Sequence, residues 1–384
     1  MDETAVPPVL VAAGGTAGHL FPAAALADAL SKRGRPVHLV TDRRAIRFGE
    51  AFADDAVHVV ASATLRSRNP VALIRTAAGI GLGLLQAWRL IGRLRPAAVI
   101  GFGGYPSVPP VLAAAWRGIP TLIHDANAVV GRANRLLAPR VTAIATTFPD
   151  TFSDTPGLAA KTTMTGNPIR PAVIAAAATP YAPPAEVLRL VVFGGSQGAR
   201  IMSDIVPAAI AALPPQLRSR LHIVQQARDE DVARVQEVYA KLPVRAEVAP
   251  FFSDLPARIA ASHLAVARSG ASTVAELAAI GRPSILVPLP HAIDQDQFAN
   301  AGVLPGAGGA LRLVQETFTP ERLAAEIAAM AASPQRLAAM AAERAVRAES
   351  LHKQPSFRPL TEAETKVILG GTLWTALSGA RRRP

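Results

Sequence analysis

Residues 9–23 read VLVAAGGTAGHLFPA. A short apolar run ends in glycines at positions 14, 15 and 18, and an alanine-rich stretch with helical character follows. Glycine allows positive φ angles and close backbone approach, and the start of the next helix presents free N–H groups to an anion or a hydroxyl-rich ligand. The stretch therefore predicts the first strand, turn and helix of a doubly wound α/β domain, with a ligand at the turn.

Two series of apolar runs alternate with alanine-rich helical stretches, which is the βαβ pattern of a parallel sheet. Between them, PYAPPAEVL at residues 180–188 marks a linker, because its prolines prevent helix formation and central-strand pairing. The second series opens on LRLVVFGGSQGAR, again a strand, a glycine turn and a helix. We therefore predict two domains, over 1–179 and 180–350, and a C-terminal helix with a basic tail over 351–384 that packs back on the first domain.

Composition limits the classes of function. The chain has no cysteine, which excludes structural disulfides, thiolate nucleophiles and Cys-ligated metal sites. Its formal charge of +12 attracts phosphates, anionic lipid or nucleic acid alike. A nucleic-acid-binding protein is disfavoured, because the sequence contains no evident helix-turn-helix, aromatic stacking strand or basic recognition helix. The first residues, MDETAVPP, carry acids in place of a basic signal-peptide start, so a cytoplasmic protein is expected.

The first glycine turn leaves several interpretations open. His19 lies where this turn enters the helix, and it either accepts a proton near neutral pH or simply packs the turn. A dinucleotide-binding enzyme would carry G-x-G-x-x-G here, whereas the spacing is GGTAG. In dinucleotide-binding domains an acidic residue at the end of the second strand binds the ribose. Asp42 follows the second apolar run and could take this place, so the dinucleotide alternative stays open.

Two further turns follow apolar runs. GFGGYPSVPP at residues 101–110 places Tyr105 and Ser107 at its tip. FGGSQGAR at residues 193–200 opens a helix and is suited to a pyrophosphate, with Ser196 and backbone N–H groups as donors. Because ligands bind at the carboxyl ends of strands in open α/β sheets, both turns are candidate parts of a site.

Six ordered motifs together resemble the MurG family, the undecaprenyl-pyrophosphoryl-muramoyl-pentapeptide N-acetylglucosaminyltransferases. In chain order they are GGTAGHLFPA, GFGGYPS, HDANAVVGRANRLLA, GNPIR, FGGSQGAR and RSGASTVAELAAIGRPSILVPLPHAIDQDQFANA. The resemblance covers roughly residues 9–350. It implies the GT-B architecture, in which two Rossmann-like doubly wound domains face each other across a cleft.

The resemblance also implies roles for individual residues. His19 is the expected catalytic base, with Asp125 and Tyr105 as rivals or supporters. The residues expected to bind the acceptor are Gly104, Tyr105, His124 and Asn134. The donor UDP-N-acetylglucosamine is expected to contact Thr16, Ala17, Gly18, Asn127, Arg170, Ser196, Phe252, Ala271, Ser272, Thr273, Val274, Ala275, Glu276 and Gln297.

Residue chemistry agrees with part of this assignment. In GASTVAE, the small residues at a helix start leave room for a phosphate, to which Thr273 can donate a hydrogen bond. One turn further into the helix, the carboxylate of Glu276 can accept hydrogen bonds from hydroxyl groups. The alternative for Glu276 is an ordinary first-turn acid that interacts with the helix dipole. Phe252 is expected to stack or pack near uracil.

Some motifs depart from the family pattern. Ala17 replaces the middle glycine of the usual GGTGGH, and HDAN replaces the commoner HEQN, which shortens the reach of the carboxylate of Asp125. VQQARDED lacks the glycine usually found after that strand. These differences bear on single residues more than on membership of the family.

The reaction implied by the resemblance is an inverting transfer of N-acetylglucosamine to the C4 hydroxyl of N-acetylmuramic acid in the lipid-linked muramoyl-pentapeptide. No metal or other cofactor is expected, because helix N-termini stabilise the departing pyrophosphate. Asp294-Gln295-Asp296 has the D-x-D spacing of a cation site, and we favour sugar-hydroxyl binding for it. The runner-up function is a soluble UDP-sugar transferase or epimerase of the same fold.

Residues 65–96 read LRSRNPVALIRTAAGIGLGLLQAWRLIGRLRP. Arg75, Gln86 and Arg89 interrupt the apolar run, so a membrane-spanning helix is not expected. An amphipathic helix on an anionic membrane surface, with Trp88 and the leucines as its buried face, competes with a core-packed helix whose arginines are solvated. The resemblance favours the membrane, at the cytoplasmic face of the bacterial inner membrane, since the acceptor is a lipid. The RRRP terminus either adds electrostatic attraction or has no role.

Overall fold

Two parallel β-sheets organise the chain in the computed structural model. The structure describes residues 6–14, 17–43, 52, 54–62, 69–195, 198–290, 292, 295–303 and 308–352. The chain divides into two compact units at the junction of Arg170 and Pro171. Each unit is described separately below.

The first unit contains a parallel sheet of seven strands among its described residues. The strands are β1 (Val9–Ala12), β2 (Val37–Thr41), β3 (Val57–Val59), β4 (Ala98–Gly101), β5 (Thr121–Asp125), β6 (Ala143–Thr146) and β7 (Thr162–Met164). They pair in the order β3-β2-β1-β4-β5-β6-β7. The helices are α1 (Ala17–Ser31), α2 (Pro70–Leu94), α3 (Val108–Trp116), α4 (Arg132–Leu137) and α5 (Pro156–Ala159).

The second unit contains a parallel sheet of six strands among its described residues. The strands are β8 (Leu188–Phe193), β9 (Leu221–Gln226), β10 (Arg245–Ala249), β11 (Leu264–Ala267), β12 (Ser284–Leu286) and β13 (Ala310–Arg312), in the order β10-β9-β8-β11-β12-β13. The helices are α6 (Pro171–Ala177), α7 (Arg200–Ala212), α8 (Pro215–Arg218), α9 (Asp229–Ala240), α10 (Leu255–Ala261), α11 (Ala271–Ile280), α12 (Asp296–Val303), α13 (Pro320–Ala331) and α14 (Pro334–His352).

The first sheet buries both of its faces, which explains why its strands are continuous apolar runs. Successive side chains of β1 alternate between two hydrophobic clusters: Val9 and Val11 belong to one, Leu10 and Ala12 to the other. Fully burying an aliphatic side chain contributes about 1.5–3 kcal/mol. A strand such as VLVA therefore has no solvent face on which a polar residue could be accommodated.

Strand order places a switch point at the carboxyl end of β1. This strand pairs with β2 on one side and with β4 on the other, and Phe102 N–H donates to the carbonyl of Ala12 at 2.8 Å just beyond the β1–β4 pairing. The chain leaves β1 and β4 in opposite directions there, which opens the crevice where such sheets bind ligands. In the second unit, β8 takes the same place between β9 and β11.

The boundary between the units differs from the sequence-based one at 179/180. The units divide at Arg170/Pro171 because α6 packs against α10 and α11 of the second unit. Buried Arg282 then ties the following segment down, donating to the carbonyls of Thr179 at 2.8 Å and Ala260 at 2.6 Å. Of the predicted C-terminal segment 351–384, residues 353–384 lie outside the described part of the chain.

Replacing Arg282 tests this tie. Arg282→Met removes donors from the carbonyls of Thr179, Ala260 and Ile280, which are 2.6–2.9 Å from the guanidinium. We expect the second unit to lose on the order of 3 kcal/mol of unfolding free energy, measured by chemical denaturation. The matched control is Lys241→Met, which removes a pair with Glu237 that is exposed on both sides and should cost less than about 1 kcal/mol. Equal losses in the two variants would contradict the proposed tie.

Candidate active site

Two glycine turns interlock at the carboxyl end of the first sheet. Gly103 and Gly104 have φ angles of 91° and 72°, which favour glycine. A Cβ atom at Gly104 would lie 2.8 Å from the carbonyl oxygen of Gly14, and one at Gly14 would lie 2.7 Å from Cγ of Pro106. Only glycine therefore lets the turn after β1 and the turn after β4 pack against each other.

His19 lies in the first turn of α1, directly against the second of these turns. A Cβ atom at Gly103 would lie 3.2 Å from its Nδ1, and that nitrogen is buried without a hydrogen-bond partner among the described residues. Burial lowers the pKa of His19, and the hydrogen bond with Phe102 opposes the shift. The ring is therefore neutral near pH 7, which is the state that a general base requires.

Asp125 organises the loop that follows β5. Its carboxylate accepts hydrogen bonds from the backbone N–H groups of Asn127 at 3.2 Å and Gly131 at 2.9 Å, and from Nδ2 of Asn134 at 3.1 Å. Only 1% of Asp125 is exposed. With both oxygens occupied by loop donors, the carboxylate is better placed to fix this loop than to accept a substrate proton.

His124 connects β5 to the segment that leads out of the first unit. Its Nε2 lies 2.9 Å from the carbonyl of Gly166, and burial lowers its pKa to about 4. A neutral ring donates its Nε2–H to that carbonyl. Further along the same segment, the guanidinium of Arg170 lies 4.3 Å from the ring centre of Phe21 on α1, a cation–π contact.

The structure brings most of the expected first-domain residues to this end of the sheet. His19, Gly104 and Asn134 surround Gly103, and Nδ2 of Asn134 also donates to the carbonyl of His124 at 3.0 Å. Tyr105 opens the turn that follows Gly104. Ala17 and Gly18 begin α1, whereas Thr16 lies outside the described residues.

The turn after β8 is closed in a similar way. A Cβ atom at Gly194 would lie 2.2 Å from the backbone nitrogen of Ala199, so the chain doubles back closely. Gln226, which the sequence analysis did not select, accepts from Gly194 N–H at 3.1 Å and donates to the carbonyl of Pro250 at 3.1 Å. A polar residue at the end of a buried strand was the available signal. Ser196 lies outside the described residues.

Helix α11 begins at the carboxyl end of β11. Its N-cap is Gly270, which has no side chain to cap the helix, so the positive end of the helix dipole lies at this edge of the sheet. Ser272 and Thr273 are half-buried beside it, while Ala271, Val274 and Ala275 are buried against the domain. Glu276, one turn in, is only 8% exposed.

Gln297 and its neighbours lie at the start of α12, which follows β12 in the second sheet. Oε1 of Gln297 accepts from Leu289 N–H at 3.1 Å, and within the described part of the chain its amide N–H groups have no acceptor. Asp296 Oδ1 accepts from Gln297 N–H at 2.7 Å at the start of α12. Asp294 lies outside the described residues, within which no group of three or more His, Cys, Asp or Glu side chains could hold a metal ion.

Phe252 was expected to stack or pack near uracil, and its surroundings in the second unit bear on which of the two is possible. The residue is buried, and the guanidinium of Arg258 lies 4.4 Å from its ring centre, so one ring face is already covered. Packing agrees with this geometry better than stacking on a base does. The adjacent Phe251 is 65% exposed and is the aromatic side chain available to a ligand. The sequence FF alone could not indicate which of the two faces outward.

Comparisons with known proteins show the family to which the chain belongs. Residues 9–146 match the glycosyltransferase family 28 N-terminal domain and residues 189–355 its C-terminal domain. The chain is 64% identical, over 88% of its length and 90% of the relative, to the UDP-N-acetylglucosamine--N-acetylmuramyl-(pentapeptide) pyrophosphoryl-undecaprenol N-acetylglucosamine transferase of Rhodopseudomonas palustris (strain BisB18). A relative of the same name from Bradyrhizobium sp. (strain BTAi1 / ATCC BAA-1182) is 62% identical over 88% of the chain and 93% of the relative.

A solved structure is similar over the same span. The crystal structure of Acinetobacter baumannii MurG has a TM-score of 0.70 and 30% identity, covering 88% of this chain and 93% of that one. The chain belongs to the MurG family of glycosyltransferases. The predicted family and the predicted class of two Rossmann-like domains of the GT-B type are confirmed.

Membership of the MurG family decides between the interpretations of the first glycine turn. A glycosyltransferase needs no nicotinamide dinucleotide, so the dinucleotide alternative raised by Asp42 is wrong. Asp42 is instead a buried residue at the end of β2, with its Oδ1 3.3 Å from where a Cβ at Gly14 would lie. The close packing of this turn leaves no room for a side chain at Gly14.

Gly104→Ala tests the interlocked turns of this MurG-family site. The added methyl would meet the carbonyl of Gly14 at 2.8 Å and Cδ2 of His19 at 3.4 Å, so we expect transferase activity to fall on the order of 100-fold, measured as initial rate. Gly118→Ala is the control, because Gly118 has nearly the same φ angle, 70°, and nothing within 4 Å of the added atom. It should show only the conformational cost of about 1 kcal/mol in stability. Similar rates for both variants would refute the argument.

Proposed function

We propose that this protein transfers N-acetylglucosamine from UDP-N-acetylglucosamine to the C4 hydroxyl of N-acetylmuramic acid in undecaprenyl-pyrophosphoryl-muramoyl-pentapeptide. The product is the β-1,4-linked lipid-bound disaccharide used for peptidoglycan synthesis. The observation that carries the proposal is a half-buried, neutral His19 with a buried Nδ1 at the switch point of the first sheet, in a chain 64% identical to a relative named as an N-acetylglucosamine transferase of this kind.

The donor is assigned to the second unit. N–H groups at the start of α11 donate to the pyrophosphate, together with the turn that contains Ser196. The buried carboxylate of Glu276 accepts hydrogens from ribose hydroxyls, and the amide of Gln297 donates to sugar oxygens. Phe252 packs near uracil. From the first unit, the proposed donor contacts are Thr16, Ala17, Gly18, Asn127 and Arg170.

The acceptor is assigned to the first unit, with Gly104, Tyr105, His124 and Asn134 around it. His19 takes the proton of the attacking C4 hydroxyl as its oxygen forms a bond to the anomeric carbon. The bond from that carbon to the pyrophosphate oxygen breaks on the opposite face, and UDP leaves with its electron pair. Inversion follows from this single displacement. Asp125 fixes the loop beside His124, and helix N-termini stabilise the negative charge that develops on UDP.

UDP release from purified protein and UDP-N-acetylglucosamine tests this proposal. Release should require the lipid-linked muramoyl-pentapeptide and continue in EDTA. His19→Ala should lower kcat/KM by roughly 100- to 10,000-fold, the usual contribution of a general base. His222→Ala, a half-buried histidine of the second unit, serves as the matched control and should leave the rate unchanged.

The pH profile gives a second measure of His19. Because burial lowers its pKa from 6.5, the ring loses its proton at a lower pH than a free histidine. The acidic limb of kcat/KM should therefore lie below pH 6.5 and be absent in His19→Ala. No release with the lipid acceptor would contradict the proposal and favour a soluble UDP-sugar transferase or epimerase.

We also propose that α2 lies on an anionic membrane surface, at the cytoplasmic face of the inner membrane. Gly83, Ala87 and Ile91 of this helix face the protein, and a Cβ at Gly83 would lie 3.1 Å from Cγ of Pro109. The opposite face is apolar and exposed, with Ile74, Leu82, Leu85 and Trp88, and Trp116 of α3 is exposed as well. Among the described residues, no helix is long and apolar enough to span a bilayer.

Charge accompanies this apolar face. The guanidinium of Arg117 lies 4.1 Å from the ring centre of Trp88, and Arg89 and Arg93 are exposed on α2. Arg66 and Arg68, which the sequence places just before the helix, lie outside the described residues. An apolar face with a basic border is suited to the interface of an anionic bilayer.

Vesicle binding tests the membrane proposal. Leu82→Asn combined with Leu85→Asn should lower affinity for phosphatidylglycerol-containing vesicles roughly tenfold or more in a sedimentation assay, because two leucines no longer enter the bilayer. Ile174→Asn is the control, since Ile174 is 62% exposed on α6 in the second unit. Unchanged binding by the double variant would exclude this face as the contact.

A further inference from the structure

A buried guanidinium joins the carboxyl ends of three neighbouring strands in the second unit. Arg268 follows β11, and its Nη1 donates to the carbonyls of Val287 at 3.2 Å and Pro288 at 2.8 Å, directly after β12. Its Nη2 donates to Oε1 of Gln315 at 2.6 Å, just after β13. Burial lowers the pKa of Arg268 to about 10, so the group remains charged at neutral pH.

The residue after Arg268 fastens the far end of the same segment. We call residues 287–290 and 295–297 the sugar segment, because Gln297 is the proposed sugar contact. Oγ of Ser269 donates to the carbonyl of Gln297 at 2.8 Å. Nδ2 of Asn300 donates to the carbonyl of Ser269 at 3.3 Å, and both residues are fully buried. Two consecutive residues, 268 and 269, thus hold the segment where it leaves β12 and where it enters α12.

The backbone of the sugar segment requires this support. Gln295 has a φ angle of 54°, a left-handed conformation that costs a non-glycine residue on the order of 1 kcal/mol. Within the segment, Leu289 N–H holds Oε1 of Gln297 and so fixes which way the amide points. Leu289 follows Val287 and Pro288 directly. The direction in which the amide N–H groups of Gln297 point therefore depends on the positions of Val287 and Pro288.

We propose that Arg268 and Gln315 are positioning residues that set the sugar segment relative to the N-terminus of α11, and that they thereby determine selectivity for the sugar of the nucleotide donor. The inference rests on the proposed function of this site and adds Gln315 to it. Gln315 follows β13, two strands and roughly 10 Å from β11, and in this inference it acts through its hydrogen bond with Arg268.

The chemistry of the guanidinium explains the dependence. Without the oxygen of Gln315, one buried, charged N–H group loses its acceptor, and such a group is costly to leave unpaired. Arg268 then turns toward another acceptor and releases the carbonyls of Val287 or Pro288. The pyrophosphate end of the site does not depend on these bonds, because the N–H groups of α11 belong to the helix itself.

Calorimetric titration of the full-length protein tests the inference. The ligands are UDP, UDP-N-acetylglucosamine and UDP-N-acetylgalactosamine, which differs from the second only at one sugar hydroxyl. In Gln315→Leu we expect affinity for UDP within about twofold of the unaltered protein. Affinity for UDP-N-acetylglucosamine should fall about three- to tenfold, and its preference over UDP-N-acetylgalactosamine should narrow.

Two further variants complete the design. Gln315→Glu keeps an acceptor for Arg268 and should restore affinity and preference. Gln236→Leu makes the same chemical change on α9, where the amide donates to the carbonyl of Val248, and should change neither. Equal weakening of UDP and UDP-N-acetylglucosamine, or no change in either, would overturn the inference. If the unaltered protein binds neither ligand, the proposed function itself fails.

Discussion

Parallel pairing of a central strand with neighbours on both sides is the constraint on which the rest of the structure depends. In the first unit β1 aligns with β4 from Val9↔Ala98 to Ala12↔Gly101, and in the second β8 aligns with β11 from Leu190↔Leu264 to Phe193↔Ala267. Parallel strands end at the same edge, so each sheet delivers a glycine turn and a helix start to one place. The positive ends of the helix dipoles are therefore collected at these edges, where they favour an anionic ligand.

The two units solve the problem of burying polar groups differently. The first unit uses side chains that are neutral or that accept hydrogen bonds. Burial lowers the pKa values of His19 and His124, and the carboxylate of Asp125 accepts hydrogen bonds from loop N–H groups. The second uses buried guanidinium groups, Arg268 and Arg282, whose charge is stabilised by backbone carbonyls. The first arrangement keeps a proton acceptor available, and the second provides fixed loops around an anion. These properties support the proposal that the first unit binds the acceptor and the second binds the donor.

Sequence patterns predicted the parts of the fold that depend on local chemistry. Continuous apolar runs predicted strands that are buried on both faces, and glycine turns predicted the edges where the expected site residues meet. Contacts between residues that are distant in the chain could not be predicted from these local patterns. The tie from Arg282 to Thr179, the bond from Gln226 to Gly194 and the outward direction of Phe251 all depend on the folded sheet. The loop hydrogen bonds of Asp125, a candidate base in the sequence, also depend on the folded chain.

Hydrogen–deuterium exchange with and without UDP tests most directly whether the uncapped start of α11 receives the donor. The account predicts that backbone amides of residues 271–273 and of the turn after β8 exchange more slowly when UDP is added, since each gains an acceptor. Amides of β2 and β3, far from either turn, should be unaffected. Protection that leaves 271–273 unchanged and appears elsewhere would contradict the assignment of the donor to this edge of the second sheet.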